Sequence, residues 1–234
     1  MNKQEITISP SIMCADLCNL EESIRKIENE GIDTLHVDVI DGSFSPSMPL
    51  GLGTIRELRK ITDMDFDVHI MSENNEFYIK EMLDIGVEQI TFHYESTTHI
   101  DRLLNLIRKN GVKAGLALNP ATSLNDLDYA LQLCDTVMLM LMNPGFAADK
   151  SETQVDYAQR KVKDLYNLIN ERGLDTRIEV DGRVSLEVIP DLVEAGADML
   201  VAGSTSLFRP ERSMSENKVI MEEGIEKGLK LRGE

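Results

Sequence analysis

The chain is poor in cysteine, in positive charge and in long apolar runs, and each shortage excludes something. Three cysteines in 234 residues, Cys14, Cys18 and Cys134, cannot form a disulfide framework. Cys14 and Cys18 stand four apart at a strand-to-helix junction, where two readings are open: half of a zinc pair, or reduced buried thiols. Only 24 lysines and arginines face 41 aspartates and glutamates, a net charge of −17. That balance would repel a phosphate backbone or an anionic bilayer, so neither nucleic acid nor a membrane is an expected partner. A small anionic ligand is still allowed, because it responds to local donors rather than to the global sum. No stretch has the length and apolarity of a bilayer span. Residues 1–5 run straight into a strand-like segment without the basic-then-apolar layout of a secretory leader. The expectation is a soluble, cytoplasmic protein. No linker, low-complexity tract or charge block divides the chain, so residues 1–234 read as one domain.

What is present alternates. Apolar runs of strand length fall at 5–12, 34–39, 65–70, 89–93, 113–118, 136–141, 177–180 and 199–202. Between and after them lie amphipathic stretches at 19–30, 53–61, 76–85, 100–109, 124–129, 154–172, 186–194 and 216–229. Several of these stop at a glycine (Gly31, Gly86, Gly111, Gly173, Gly196), as helices do. Eight strand-helix repeats in a chain near the ~250 residues typical of an α/β barrel predict a closed parallel (β/α)8 TIM barrel rather than a doubly wound sheet.

The chemistry sits where such a barrel would gather it. In Leu35-His36-Val37-Asp38-Val39, His36 and Asp38 are two apart, so in a strand they share a face. The pattern recurs in Asp67-Val68-His69 and Glu179-Val180-Asp181, and each segment runs into a turn signal. The C-terminal ends of barrel strands converge on one mouth. His36, Asp38, His69 and Asp181 are therefore the candidate ligands of one divalent metal ion. A mixed imidazole and carboxylate set suits zinc, iron(II), manganese or cobalt. His93 ends the fourth strand without a carboxylate in the two-residue register and reads as a supporting or packing residue. His99 lies in a polar connection and reads as solvated.

Loops after the sixth, seventh and eighth strands suggest an anion site. Asn143-Pro144-Gly145-Phe146-Ala147-Ala148 is a small-residue loop able to close over a ligand, and Gly182-Arg183 and Gly203-Ser204 follow the next two strands. In barrels of this kind the last two loops often bind phosphate with backbone N–H groups. Met138, Met140 and Met142 share a face of the sixth strand and read as adaptable core packing. The other reading makes Met140 an apolar wall of a pocket. Asp38 and Asp181 on either side of a carbon acid can take a proton from one face and return one to the other. That is the chemistry of epimerisation beside a ketone.

These residues resemble the ribulose-phosphate 3-epimerase family over nearly the whole chain. The matching segments are Ile8-Ser9-Pro10-Ser11-Ile12 with Ala15-Asp16, His36-Val37-Asp38 through Asp41-Gly42, and Asp67-Val68-His69-Ile70-Met71. They continue in Ala114-Gly115, Leu118-Asn119-Pro120, Asn143-Pro144-Gly145-Phe146, Glu179-Val180-Asp181-Gly182 and Ala195-Gly196-Ala197-Asp198 leading to Ala202-Gly203-Ser204. The resemblance implies a metal on His36, Asp38, His69 and Asp181, with Asp38 and Asp181 as the acid/base pair. It implies sugar contacts from Ser11 and His69, a place for Met71 and Met140 beside the substrate, and phosphate held by Gly145–Ala148, Gly182, Arg183, Gly203 and Ser204. The implied partner is a small phosphorylated ketose, and the implied assembly is a homo-oligomer.

Departures from the family pattern cluster on the substrate side. Ala147-Ala148-Asp149 stand in place of the last three residues of the usual N-P-G-F-G-G-Q, Arg183 replaces the second glycine of D-G-G, and Ile40 replaces a methionine. The stretch after Gly42 reads Ser43-Phe44-Ser45-Pro46-Ser47. Arg183 has two readings, a guanidinium partner for phosphate or a solvated loop residue. Ser9–Cys14 and Ser204–Phe208 are similar to a subgroup acting on allulose 6-phosphate. The expected reaction is 3-epimerisation of a ketose phosphate of the D-ribulose 5-phosphate/D-xylulose 5-phosphate type through a 2,3-enediolate. The alternatives are the same reaction on D-allulose 6-phosphate, a metal-dependent hydrolase, or a non-catalytic sugar-phosphate-binding relative.

Overall fold

Buried runs alternating with amphipathic stretches build eight strands and seven α-helices in the computed structural model, which describes residues 5–146 and 149–233. The strands are β1 (Thr7–Pro10), β2 (Thr34–Ile40), β3 (Asp65–Met71), β4 (Gln89–His93), β5 (Lys113–Leu118), β6 (Thr136–Met140), β7 (Arg177–Asp181) and β8 (Met199–Ala202). The helices are α1 (Leu20–Asn29), α2 (Leu52–Ile61), α3 (Asn75–Ile85), α4 (Ile100–Lys109), α5 (Ala158–Arg172), α6 (Ile189–Ala195) and α7 (Met214–Arg232). All seven ladders are parallel, in the order β1-β8-β7-β6-β5-β4-β3-β2. A single parallel bridge between Ser11 and His36 joins the two ends. The sheet is thus a nearly closed (β/α)8 barrel, and the seam of closure runs through two candidate site residues. Among the described residues no helix is long and apolar enough to cross a membrane.

The sequence expectation of a helix at 124–129 is corrected. That connection holds two 3₁₀ turns instead, at Leu124–Leu127 and Leu131–Leu133. Ser123 caps the first by accepting from the Asn125 N–H, and only Leu127 is buried. A segment this short and polar has too little apolar face to pay for a full α-helix.

Apolar side chains on the outer face of the barrel, such as Leu35, Val37, Phe66, Val68 and Phe92, form one core with buried helix residues including Ile24, Ile55, Leu104 and Val162. The barrel interior is different: Ser9, His36, Asp67, His69, Gln89, Thr91, Thr136 and Glu179 are all buried. Ala117, Met138 and Met140 form a small apolar island among the inward-facing groups. Hydrophobic burial against the helices therefore holds the barrel, and its lumen is free to carry polar chemistry.

Candidate active site

Strands β2, β3 and β7 present His36, Asp38, His69 and Asp181 to one point at the mouth, with one ligand atom of each within 4.8 Å of the others. His36 Nε2 lies 3.5 Å from Asp38 Oδ1, and His69 Nδ1 lies 3.7 Å from the same oxygen and 3.5 Å from Asp181 Oδ2. These separations are too long for hydrogen bonds. Two of them fall within, and the 3.7 Å one just above, the edges of a tetrahedron around a metal at about 2.0–2.2 Å, which are about 3.3–3.6 Å.

The donor set passes a chemical test as well. His36 Nδ1 lies 2.8 Å from Asp67 Oδ2, and a carboxylate accepts, so the neutral ring donates there and turns the Nε2 lone pair inward. His36 Nε2 and His69 Nδ1 are buried and have no hydrogen-bond partner. Two unpartnered imidazole nitrogens facing two carboxylates call for a cation, and the cluster is able to hold a divalent metal ion. Burial alone would lower both histidines, yet Asp38 and Asp67 raise His36 well above its ordinary value, and Asp181 and Asp38 raise His69. Burial opposes ionisation of Asp38, but His36 and His69 draw its carboxyl strongly down. The surrounding carboxylates thus favour positive charge at this cluster.

Below these four side chains lies a buried polar layer. Asp67 accepts from Ser9 Oγ at 2.9 Å and from Gln89 Nε2 at 2.7 Å, and Gln89 Oε1 accepts from Thr136 Oγ1 at 2.8 Å. Burial and the facing Asp67 carboxylate push the Glu179 carboxyl well up, whereas His36 holds Asp67 down against the burial penalty. One negative charge thus backs His36, an arrangement that fixes its tautomer and ring plane. Asp67 and Glu179 went unremarked as functional groups in the sequence. The period-two pattern that located His69 and Asp181 carries them too, on the same face and one step deeper.

Ser11 donates from Oγ to Asp38 Oδ2 at 2.7 Å, leaving Oδ1 toward the ligand point. A pocket above it is lined by Ser11, Asp38, Met71, Met140, Gly145, Asp181, Gly182, Arg183, Gly203 and Ser204. His36 and His69 are fully buried beneath it. Phe146 is exposed and outside the lining, and Ala147 and Ala148 lie outside the described residues. The sequence reading left out Met13, Cys14, Met142, Val201 and Thr205, which also line the pocket. Cys14 sits on the wall with its thiol pushed up by burial and by Asp38, Cys18 is exposed, and neither joins a metal-capable cluster among the described residues.

Arg183 lines the pocket, and its guanidinium is also engaged by backbone carbonyls. Its backbone is left-handed, with φ of 48°. Its Nε donates to the Glu152 carbonyl at 2.6 Å and its Nη2 to the Asp149 carbonyl at 2.7 Å, so the guanidinium ties the loop after β6 to the loop after β7. Arg183→Ala should remove about 1–3 kcal/mol of local stability. Hydrogen exchange would show faster exchange at 149–152 with little change in the core strands.

Comparison with known proteins identifies the family. Residues 7–208 match the sequence profile of the ribulose-phosphate 3 epimerase family. The chain is 36% identical over 215 residues to a ribulose-phosphate 3-epimerase of Bacillus subtilis, covering 92% of this chain and 98% of that one. It is 37% identical over 221 residues to a ribulose-phosphate 3-epimerase of Methanocaldococcus jannaschii, covering 94% and 92%. Among solved structures, 3-hexulose-6-phosphate synthase from Salmonella typhimurium superposes with a TM-score of 0.64 at 13% identity, over 95% of this chain and 100% of that one, a likeness of fold alone. The protein is a barrel isomerase of the epimerase type. It belongs to the ribulose-phosphate 3-epimerase family.

Proposed function

We propose that this chain interconverts D-ribulose 5-phosphate and D-xylulose 5-phosphate by moving a proton at the third carbon, with a divalent metal on His36, Asp38, His69 and Asp181. The observation that carries the reading is the convergence of Asp38, from β2, and Asp181, from β7, at the floor of one pocket. The names of the relatives support the substrate.

One carboxylate takes the C3 proton as the C–H electron pair moves toward the C2 carbonyl, giving a 2,3-enediolate. The other, protonated, delivers its proton to the opposite face of C3, and the inverted ketose results. The hydrogen bond from Ser11 fixes the plane of Asp38 for this transfer. Burial of the histidines and the methionine-lined wall keep bulk water from the carbanionic centre. When bound, a divalent cation such as zinc, iron(II), manganese or cobalt supplies Lewis-acid stabilisation for the charge that develops on the substrate oxygens. Backbone at Gly145, Gly182, Arg183, Gly203 and Ser204 is assigned to the phosphate, because these residues share the pocket wall. A cytoplasmic setting belongs to the reading and is supported by three cysteines without a disulfide. So does a homo-oligomer, supported by exposed Leu17, Met48 and Phe77 after β1, β2 and β3.

The test is a panel of ribulose, xylulose, allulose, fructose and tetrulose phosphates in D2O, followed by NMR. The expected result is deuterium at C3 of both pentulose phosphates with the highest kcat/KM and no phosphate release. D-allulose 6-phosphate is the competing substrate, favoured by Arg183 standing where the family has glycine. Faster turnover of it would reassign the substrate, and phosphate release would make the enzyme a hydrolase.

A further inference from the structure

We propose that His93 and Glu95 are positioning residues that hold the His69 ring with its Nδ1 lone pair toward the ligand point. The proposal rests on the metal-holding reading of the site.

The argument is a proton count along one hydrogen-bonded chain. The Asn119 backbone N–H donates to Glu95 Oε1 at 2.8 Å, and the Thr122 hydroxyl donates to the same oxygen. Glu95 Oε2 lies 3.2 Å from His93 Nδ1. A carboxylate only accepts, so Nδ1 of His93 carries the hydrogen. In a neutral ring Nε2 of His93 is then an acceptor. It lies 2.9 Å from His69 Nε2, so His69 must donate there. The remaining nitrogen of His69, Nδ1, is left with a lone pair, and it is the nitrogen that faces Asp38 and Asp181. Glu95, held by a backbone N–H of the loop after β5, thus sets the tautomer of His69 on β3 through His93.

The chain is also held sterically. His93 is fully buried, and the Phe44 ring packs on it with centroids 4.5 Å apart. Lys161 of α5 donates to the carbonyls of Asn119 and Pro120 at 2.8 and 2.9 Å, which anchors the loop that aims the Asn119 N–H. Glu95 accepts three hydrogen bonds through both oxygens. Glutamine would not serve in its place: with its oxygen toward Asn119 and Thr122, its NH2 would face His93 Nδ1 and demand the opposite tautomer, reversing every donor and acceptor along the chain. At position 93, glutamine could serve, since its amide oxygen accepts and its NH2 donates.

The experiment titrates chelator-stripped protein with Co(II), reading the visible spectrum and dissociation constant, alongside kcat and KM. Wild type is expected to bind one Co(II). His93→Leu should weaken binding about 10–100-fold, alter the cobalt spectrum and lower kcat more than it changes KM. His93→Gln should return the cobalt affinity to within a few-fold of wild type, and Glu95→Gln should share the defect of His93→Leu. Glu95 is on the surface side of the chain, with a side chain 22% exposed, so Glu95→Gln carries the test if His93→Leu does not fold. Variants with wild-type affinity and spectrum, or a His93→Gln variant as weak as His93→Leu, would overturn the positioning role while leaving the metal site standing. Wild-type protein that takes up no cobalt would instead bring down the metal reading itself.

Discussion

Asp181→Asn should lower kcat about 10²–10⁴-fold while the protein still binds a ketose phosphate, the range expected for loss of one positioned acid or base. Asparagine keeps the size of the side chain and can offer its amide oxygen to the ligand point, so the fold and the pocket are preserved. What it cannot do is exchange a proton. Asp38→Asn should cost at least as much, because Asp38 also accepts from Ser11 Oγ and faces both histidines.

The two variants differ in a more informative way. Each retains one carboxylate, on one side of the substrate carbon. That carboxylate can still take the C3 proton of the epimer that presents it, exchange it with solvent, and return it to the same face. In D2O, Asp181→Asn should therefore place deuterium at C3 of one pentulose phosphate without interconverting the pair, and Asp38→Asn should do so with the other. NMR of the recovered sugars reads this directly. Equal labelling of both epimers by either variant would mean that a single group serves both faces, and the two-carboxylate mechanism would be wrong.

Much of this site was readable because strand periodicity is a strong constraint. In His36-x-Asp38 the spacing alone places two side chains on one face, and β2 is buried along its whole length. The same rule puts Asp67 under His69 and Glu179 under Asp181. Which of two same-face residues reaches the mouth depends on how far each strand extends, and that is fixed by the register between strands. The pairing of His36 with Asp67 and of Asp38 with His69 shows the offset. Arg183 was illegible for a different reason. Its partners are the carbonyls of Asp149 and Glu152, about thirty residues away, and no local pattern encodes a contact between two loops. The Glu95–His93–His69 chain was equally hidden, since it crosses from β5 to β3 through side chains that only the closed barrel brings together. The segment at 124–129 misled because apolar spacing was read as a helix where the polar turn chemistry of Ser123 and Asn125 prevailed.

Metal affinity should climb steeply with pH, by about 100-fold per pH unit below the raised histidine values, if metal binding displaces one proton from each of two histidines. Without a cation, the carboxylates around His36 and His69 raise both imidazoles above their ordinary range despite complete burial. Their folded-state affinity for protons exceeds that of the unfolded chain. Below the ordinary histidine range both states are protonated, and the raised values contribute their full stability to the metal-free protein. As pH rises, the unfolded chain loses its protons first, and the folded protein loses the advantage as pH passes its own raised values. The metal-free protein should thus become less stable toward alkaline pH, whereas protein loaded with Co(II) keeps positive charge at the centre and should not. The stabilisation conferred by metal then widens with pH, and thermal unfolding of loaded and chelator-stripped protein between pH 6 and 9 measures it. Competition with a chelator of known pH dependence measures the proton count independently. A slope near zero would mean that both histidines are already neutral in the metal-free protein, and that the charge the carboxylates demand is satisfied in some other way.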